Sequence, residues 1–335
     1  MIDAISIQLR DQQKTASFGH SLASTIYSVP VWISLNGELG AGKTTLVQGL
    51  AAGLGITTPV TSPTFALEQR HKTAKKTGFL HIDLYRLEPK EAASLLASTD
   101  DYPGIRCIEW TDRLPPDSPF RPDIRIRLEE DGEGRNVEVL FEDLAMPSRE
   151  RILEWREEVL LPEHIARHCD AVAAFSSVLA KHLLEQGVAV RPLALLRAAE
   201  VHDLLRFVDF KPGAGPDTSM PEQRAVWETW RRQWPDMRHE SACAAFLRER
   251  GFPGLAEIVI AHGLALPSPQ RVTTEQRLLY YADKRVMVDH VVSLDERFAD
   301  FDLRYNAGES NERGRMWLQE AKEVETMFFP EGPPV

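Results

Sequence analysis

The stretch NGELGAGKTT, Asn36 to Thr45, constrains the fold of this chain more than any other. Its Gly37, Gly42, Lys43 and Thr44 satisfy the spacing G-x-x-x-x-G-K-[ST] between an apolar segment, VWISLNG, and a helical one, KTTLVQGLAAGL. Glycines leave backbone N–H groups free to surround phosphates at the positive end of the helix. Lys43 then reaches the terminal phosphates, and the Thr44 hydroxyl binds Mg²⁺. The stretch predicts a nucleotide-binding loop, and a glycine-rich turn that carries Lys and Thr by chance is the alternative.

Up to about residue 145, short β-rich segments alternate with helical ones, which is typical of an α/β domain. The predicted strands are ISIQL, VWISLNG, two flanking the basic hairpin RHKTAKK, IRCIEW, DIRIRLEED and NVEVLFED. The predicted helices are FGHSLASTIYS, KTTLVQGLAAGL and EAASLLAS. A strand before the glycine loop and a terminal hairpin through GEGR favour a mixed sheet. We therefore predict an α/β P-loop NTPase domain with a mixed sheet over residues 1–148.

Composition sets the broad class of protein. A chain of 335 residues with 43% apolar content can build two cores, so we expect two domains. A net charge of -11 argues against a protein that coats nucleic acid, so any role with RNA is expected to be indirect. Cys107, Cys169 and Cys243 have neither disulfide nor zinc-site spacing, which favours a reducing cytoplasm. We also expect no leader peptide and no membrane span.

Three segments after the glycine loop carry candidate site residues. TSPTF has a Pro that fixes an extended kink between two hydroxyl residues, so it can present a hydroxyl to a γ-phosphate or its metal, and Thr61 is the candidate; an ordinary loop is the other interpretation. FLHIDLYR places Asp83 in an apolar strand, where a lone carboxylate is costly unless it faces a cation such as Mg²⁺. IRCIEW adds Glu109, a candidate for polarising water, and Trp110, which would face the nucleotide or a partner. Purely structural roles for Glu109 and Trp110 stay open.

In this order and spacing, GELGAGKTT, TSPTF, HIDLYR and IEW resemble the TsaE family over about residues 5 to 145. That resemblance implies ATP binding and hydrolysis with Mg²⁺ at Lys43, Thr44, Asp83 and Glu109. It also implies that hydrolysis resets a TsaB–TsaD type complex, which modifies an adenosine next to the anticodon of certain tRNAs. The segment LEPKEAASLLASTDDYP departs from the family pattern, which leaves its partner contacts open. The residues expected to contact nucleotide are Gly37, Glu38, Leu39, Gly40, Ala41, Gly42, Lys43, Thr44, Thr45, Thr61 and Trp110.

From Arg149 onward, helical periodicity predicts an all-α domain over residues 149–335. The predicted helices are HCDAVAAFSSVLAKHLLEQG, LALLRAAEVHDLLRF, ESACAAFLRERG, LAEIVIAHG and EQRLLYYADKRVMVDHVV. Between them, FKPGAGPDTSMP is rich in Gly and Pro and is predicted to be a surface loop that can act as a lid.

Imidazole and carboxylate groups recur through these helices in a set suited to Mn²⁺, Fe²⁺, Zn²⁺ or Ni²⁺. The set is His168, His202, Asp203, His239, His262 and Asp283. Its segments resemble the HD-domain metal phosphohydrolases over about residues 160 to 300. The resemblance implies one metal on His168, His202, Asp203 and Asp283, and a second on His239 and His262 that Asp203 bridges. His164 competes with His168 on the same helical face, and we favour His168 because Val172, Ala173 and Ala180 then follow the apolar pattern.

The resemblance further implies a nucleotide or phosphate-ester substrate, with Arg206 meeting its phosphate. Three alternatives to this two-enzyme hypothesis stay open. One is a helical bundle with an inactive site, another is a nucleotide-gated module that only regulates a partner complex, and the third is a P-loop kinase of a small substrate.

Overall fold

The computed structural model describes residues 2–132, 134–210, 220–265, 267–305, 308–309 and 311–334. The chain divides into two compact units, of which the first comprises Ile2–Asp143 and Leu183–Arg191. The second comprises the other described residues from Leu144 onward. The sequence carries no signal for the return of 183–191 to the first unit. The assignment of 1–148 and 149–335 as independent domains stays a prediction, and the predicted lid falls mostly on 211–219, outside the described residues.

A seven-stranded sheet forms the centre of the first unit, in the order β1-β7-β6-β2-β5-β4-β3. Its strands are β1 (Asp3–Leu9), β2 (Val31–Gly37), β3 (Glu68–Lys72), β4 (Gly78–Asp83), β5 (Ile105–Glu109), β6 (Ile124–Asp131) and β7 (Gly134–Phe141). Parallel pairs join β2 to β5 and β6, and β5 to β4, whereas the β3–β4, β6–β7 and β1–β7 pairs are antiparallel. The predicted mixed sheet is therefore confirmed.

Burial along the strands explains their sequence patterns. All five residues of β5 are buried, and its two charged side chains have partners: Arg106 donates to the Thr99 carbonyl, and Glu109 lies at the candidate site. In β1 buried and exposed residues alternate, because only one of its faces packs on the core. The helices of this unit are α1 (Gln12–Leu22), α2 (Lys43–Gly53) and α3 (Pro89–Ala97). The parallel central strands bring the ends of β2, β4 and β5 to one edge of the sheet.

The returning segment 183–191 is fastened to the first unit by polar contacts. The guanidinium of Arg191 donates to both oxygens of Asp143, at 2.6 and 2.9 Å, and both side chains are buried. The backbone N–H of Ala189 donates to the Ser21 hydroxyl at 2.8 Å. This bidentate pair holds the segment in place, because separating the two side chains would leave a buried charge without its partner.

Helices dominate the second unit, as predicted. They are α4 (Arg149–Glu158), α5 (Glu163–Glu185), α6 (Pro192–Val201), α7 (Pro221–Gln233), α8 (His239–Glu249), α9 (Pro253–Val259), α10 (Thr274–Arg285), α11 (Leu294–Tyr305) and α12 (Glu312–Phe328). The end of α5 belongs to the first unit. Among the described residues, no helix is both long and apolar enough to span a bilayer.

Two predicted helices of the second unit run well past the ends of the observed helices. The one predicted through VMVDHVV ends at Arg285, and a hairpin follows, formed by β8 (Val286–Met287) and β9 (His290–Val291). β-Branched valines favour strands, and Val288 adopts a φ of 59° in the turn, which no helix accommodates. The helix predicted through HDLLRF ends at Val201, where turns and a short 3₁₀ segment, Arg206–Asp209, replace it.

Candidate nucleotide site and candidate metal centre

The glycine loop joins β2 to α2 at the edge of the sheet. Gly37 has a φ of 146°, and a Cβ there would lie 2.2 Å from the Leu128 carbonyl oxygen. Gly42 precedes the first helical residue with a φ of 98°, and no side chain caps this helix end among the described residues. The first amides of α2 are therefore free to donate to an anion, with the helix dipole favouring negative charge.

Lys43 is buried within its own loop. Its Nζ donates to the carbonyls of Gly37 and Glu38, both at 2.8 Å, and lies 3.6 Å from the centre of the Trp110 ring. Burial lowers the pKa of Lys43, and the carboxylates of Glu109 and other nearby acids offset part of that effect. The ammonium is thus held at the loop by weak neutral acceptors, which phosphate oxygens can replace with stronger charged contacts.

Thr44 and Glu109 come together from α2 and the end of β5. The Thr44 hydroxyl donates to the Glu109 oxygens, at 3.0 Å to Oε1 and 3.3 Å to Oε2. On the other side, Nε2 of His81 contacts Glu109 Oε1 at 2.8 Å. The structure therefore brings together Lys43, Thr44 and Glu109, three of the residues predicted for this site.

Asp83 lies beside Glu109 in the register of β4 and β5. Its Oδ2 accepts hydrogen bonds from Thr64 at 2.5 Å and Ser62 at 3.2 Å, and its Oδ1 accepts from the backbone N–H of Tyr85. The hydroxyls of TSPTF that reach this carboxylate are therefore those of Ser62 and Thr64.

Thr61, the residue predicted from TSPTF, lies elsewhere. It is exposed and bonds to the Gln69 side chain at 2.8 Å. The motif indicated a hydroxyl at this site, but a loop has no periodicity that tells which one faces inward, so Thr61 was predicted in place of Ser62 and Thr64.

Trp110 closes one side of the glycine loop. It follows β5 with a φ of 65°, a left-handed conformation, and its N–H donates to the Leu35 carbonyl at 2.9 Å. Its ring lies 4.8 Å from that of Tyr85. Non-glycine residues in this conformation concentrate at functional sites, where the surrounding structure holds them.

The outer part of the loop is exposed at Glu38, Leu39 and Gly40 and buried at Ala41. Arg135 of β7, which sequence analysis did not single out, donates through Nε to the Ala41 carbonyl at 2.9 Å. Its place on a strand distant in sequence gives no signal of this role. Thr45, the last predicted contact of the loop, is half-buried in the first turn of α2.

In the second unit, four predicted histidines share one arrangement. Nδ1 of each contacts a carbonyl or carboxylate oxygen, and Nε2 faces the other members of the group. The partners of Nδ1 are the Val288 carbonyl for His168, Ala199 for His202, Asp209 for His239 and Val259 for His262, at 2.9, 2.8, 2.6 and 2.5 Å. Because these oxygens accept, the proton of each neutral ring lies on Nδ1, and Nε2 presents a lone pair.

Two carboxylates lie among these Nε2 atoms. Asp283 Oδ1 is 3.0 Å from His168 Nε2 and 3.6 Å from His202 Nε2. Asp203 Oδ1 is 3.1 Å from His239 Nε2 and 3.7 Å from His262 Nε2. The six predicted metal-binding residues of this unit therefore converge, although three lie in the helices α5, α8 and α10 and three in the turns that follow α6 and α9.

Electrostatics in this centre favour positive charge. Burial opposes ionisation of Asp203, but His202, His239 and Arg206 hold its pKa well below the usual range. Burial likewise opposes charge on His202, and the neighbouring Cys169, Asp203 and Asp283 nevertheless raise its pKa well above the usual value, so that without a metal a proton is favoured on Nε2, where a metal would otherwise take the lone pair. Ionised carboxylates therefore stabilise a cation at this position.

The residues also fit a metal by their donor set. Nε2 of His202 is fully buried and has no hydrogen-bond partner among the described residues, which is costly unless a ligand takes its lone pair. His168, His202 and Asp283 offer atoms within 4.8 Å of one another, as do His202, Asp203 and His262. Imidazole with carboxylate suits Mn²⁺, Fe²⁺, Co²⁺, Ni²⁺ or Zn²⁺.

Three further residues complete the description of this centre. Arg206 NH1 lies 2.9 Å from the His239 ring and 3.6 Å from Asp209. Asp209, which sequence analysis missed, orients His239 through Nδ1, as second-layer carboxylates of metal sites do. Its place in an unpredicted 3₁₀ turn gave no signal. His164, the rival of His168, is exposed.

Comparison with known proteins bears on the first unit. The model of the family described as "Threonylcarbamoyl adenosine biosynthesis protein TsaE" matches residues 9–137. The tRNA threonylcarbamoyladenosine biosynthesis protein TsaE of Nostoc sp. (strain PCC 7120 / SAG 25.82 / UTEX 2576) is 46% identical over 114 residues, which are 32% of this chain and 69% of that protein. The protein of the same name from Haemophilus influenzae (strain ATCC 51907 / DSM 11121 / KW20 / Rd) is 30% identical over 145 residues, 42% and 90% of the two chains.

Among solved structures, the crystal structure of Bacillus subtilus YdiB has a TM-score of 0.32 and 22% sequence identity, and it covers 47% of this chain and 95% of that chain. The family match ends at residue 137, before α4 begins.

Proposed function

This chain belongs to the TsaE family, and we propose that its N-terminal half binds ATP with Mg²⁺ and hydrolyses it as an accessory to tRNA threonylcarbamoyladenosine synthesis. The observation that carries the proposal is the meeting of Lys43, Thr44 and Glu109 at the glycine loop. A cation for phosphates, a hydroxyl for a metal and a carboxylate for water are the groups that phosphoryl transfer to water requires.

Each residue has a role set by its chemistry. Lys43 exchanges its carbonyl acceptors for the terminal phosphates, while the amides of the loop and of α2 hold the remaining phosphate oxygens. The Thr44 hydroxyl and the Asp83 carboxylate would hold Mg²⁺, which would supply positive charge next to the phosphates. Glu109 orients the attacking water and accepts its proton. Trp110 covers the side of the loop on which the ammonium lies.

Hydrolysis is tested by phosphate release from ATP by the full chain, with and without Mg²⁺. Lys43→Ala and Thr44→Val serve as the variants that disable the loop. If the wild type released phosphate from ATP no faster than these variants, hydrolysis by the glycine loop would be excluded. Phosphate transfer to a small added substrate in place of water would favour the kinase alternative.

For the partner, we propose a TsaB–TsaD type complex, with tRNA contacted through that complex. A net charge of -11 disfavours direct wrapping of RNA by this chain. The test is a pull-down of purified TsaB–TsaD complex by the chain with ATP, with ADP and without nucleotide. Retention that is insensitive to nucleotide, or equal for Lys43→Ala, would contradict a nucleotide-gated interaction.

The C-terminal half, we propose, is a metal-dependent phosphohydrolase acting on a nucleotide or another phosphate ester. The carrying observation is the convergence of four Nε2 atoms on two ionised carboxylates, with the lone pair of His202 unpartnered among the described residues. His168, His202, Asp203 and Asp283 would hold one metal, and His239 and His262 a second that Asp203 also contacts. Such metals supply an activated water and neutralise the phosphate.

Arg206 gives this centre a contact for the substrate. Its guanidinium lies beside His239 and is half-buried, so it can pair with a phosphate while Asp203 and Asp283 keep their negative charge for the metal.

The experiment is a screen of nucleotides and phosphate esters with Mn²⁺, Fe²⁺, Co²⁺, Ni²⁺ and Zn²⁺. It uses the full chain carrying Lys43→Ala, so that the glycine loop does not contribute phosphate. Metal content of the purified chain is measured in parallel. No bound metal together with no cleavage after metal addition would favour an inactive helical bundle that regulates a partner.

A further inference from the structure

His81 is a fully buried histidine at the edge of the nucleotide site, and none of the roles proposed above uses it. It lies in β4 two residues before Asp83. In a strand, residues two apart share a face, so His81 and Asp83 point to the same side of the sheet. On the adjacent parallel strand β5, Glu109 is paired with Asp83 in register, which brings its carboxylate within reach of the imidazole.

The contact between them is specific in its geometry. His81 Nε2 lies 2.8 Å from Glu109 Oε1, and among the described residues Nδ1 has no hydrogen-bond partner. An ionised carboxylate only accepts, so the proton of the ring lies on Nε2, which donates to Oε1. A proton on Nδ1 as well would be buried without an acceptor. The arrangement therefore fits a neutral imidazole that serves as a fixed donor.

The two oxygens of Glu109 differ as a result. Oε1 accepts from His81 at 2.8 Å and from Thr44 at 3.0 Å, whereas the one hydrogen bond to Oε2 from the part of the chain that the structure describes is the longer Thr44 contact at 3.3 Å. Oε2 is the oxygen with free capacity to accept another proton. If the carboxylate rotated freely, Oε1 and Oε2 would become equivalent. Misplacement of a catalytic group by a fraction of an ångström slows the chemical step, so a fixed carboxylate favours the reaction.

We propose that His81 is a positioning residue, which holds Oε1 of Glu109 so that Oε2 receives the proton of the attacking water. The inference rests on the ATP hydrolysis proposed above. As the water oxygen bonds to the terminal phosphorus, the bond from that phosphorus to its bridging oxygen breaks. ADP and phosphate leave, and one proton of the water moves to Oε2. His81 keeps its own proton throughout and contacts neither water nor nucleotide.

The test compares two polar replacements that differ by one methylene group. The amide nitrogen of Gln reaches about as far as Nε2 of histidine, whereas that of Asn reaches only as far as Nδ1. We expect His81→Asn to lower kcat for ATP hydrolysis about tenfold or more, which is part of the roughly 10²–10⁴-fold that a positioned base contributes. His81→Gln should keep kcat within about threefold, and neither variant should change KM or the affinity for a non-hydrolysable ATP analogue more than about twofold.

A double-mutant cycle separates this role from a structural one. In a Glu109→Gln background, which has no base to position, His81→Asn should cause no further loss of kcat. An equal loss in both backgrounds would overturn the proposal, as would a tenfold loss in His81→Gln. If His81→Asn fails to fold, the kcat of His81→Gln still tests the proposal, because a tenfold loss in that variant would overturn it.

Phosphate release by the wild type distinguishes failure of the proposed hydrolysis from failure of the role proposed for His81. A wild-type chain that releases no phosphate from ATP overturns the proposed hydrolysis and this inference with it. An active wild type whose kcat is matched by His81→Asn overturns this inference alone.

Discussion

Thr44 and Glu109 bond to each other at the mouth of the nucleotide site, with the Thr44 hydroxyl 3.0 Å from Oε1 of the carboxylate. One of these side chains is proposed to bind Mg²⁺ and the other to orient water. A hydroxyl that binds a metal through a lone pair keeps its proton, so Thr44 could hold the proposed Mg²⁺ and still donate to Glu109. Thr44 would then connect the proposed metal to the carboxylate that His81 also contacts.

Lys43→Ala should weaken the binding of Mg²⁺-ATP about tenfold or more, because a charge-assisted hydrogen bond contributes about 1.5–3 kcal/mol. Isothermal titration calorimetry measures the affinity. Lys72→Ala, at an exposed position of β3, is the matched control and should bind ATP as the wild type does. Equal affinities of the wild type and Lys43→Ala would refute the role of Lys43.

Asp83→Asn should raise the Mg²⁺ concentration for half-maximal ATP hydrolysis about tenfold, since an amide oxygen is a weaker ligand for a hard cation. The amide oxygen can still accept from the Tyr85 N–H, and its NH2 group can donate to the hydroxyl oxygen of Ser62 or Thr64, so the fold should persist. A magnesium titration and a thermal melt give the two readouts. Unfolding of the variant would show that Asp83 is structural.

Gly37→Ala should destabilise the N-terminal unit by about 2 kcal/mol or more, because its Cβ would overlap a backbone carbonyl and its φ is unfavourable. The clash is with the Leu128 oxygen, at 2.2 Å. Gly132→Ala is a matched control with a φ of 60° and no atom within 4 Å of the added Cβ. It should cost only about 1 kcal/mol. Denaturant unfolding measures both, and equal losses would contradict the close approach at Gly37.

Asp203→Ala should remove transition metal from the C-terminal unit while leaving ATP hydrolysis within about twofold of the wild type. Its carboxylate contacts the histidines of both proposed metal positions. Elemental analysis of the purified chain is the measurement, and Asp295→Ala, at an exposed carboxylate, is the control. Full metal occupancy in Asp203→Ala would contradict the bridging role.

Asp123→Asn should change how stability depends on pH. Burial raises the pKa of Asp123, although its Oδ2 accepts from the Trp32 N–H at 2.7 Å, and the nearby Asp143 adds to the increase. A carboxyl whose folded pKa is raised binds its proton more tightly in the native state, so its stabilising contribution is complete below the unfolded pKa of about 4. That contribution is lost as the pH rises through the folded pKa.

As the pH rises from about 4 through the folded pKa of Asp123, the free energy of unfolding of Asp123→Asn should therefore increase relative to that of the wild type. At higher pH the difference between the two proteins should stay constant. Urea unfolding of both proteins between acidic and neutral pH measures the difference. A relative stability that is constant across the range, or that falls as the pH rises, would contradict the assignment.

The sequence by itself determined the features that depend on local spacing. The glycine loop, Lys43 and Thr44 were predictable because the loop, the preceding strand and the following helix are contiguous. The order of strands along the chain predicted a mixed sheet, since a hairpin and a strand–loop–helix unit impose different pairings. The histidines and aspartates of the C-terminal unit were found as a set because their residue types suit a metal.

Tertiary structure decided which of these side chains meet. The pairing of Glu109 with Thr44 and His81 depends on the parallel register of β4 and β5, and segments far apart in sequence supply the three groups. The choice of Ser62 and Thr64 over Thr61 at Asp83 depends on how one loop folds over the sheet edge. Hydrogen bonds and metal ligands require matching within a few tenths of an ångström, and only the packed chain determines positions that closely.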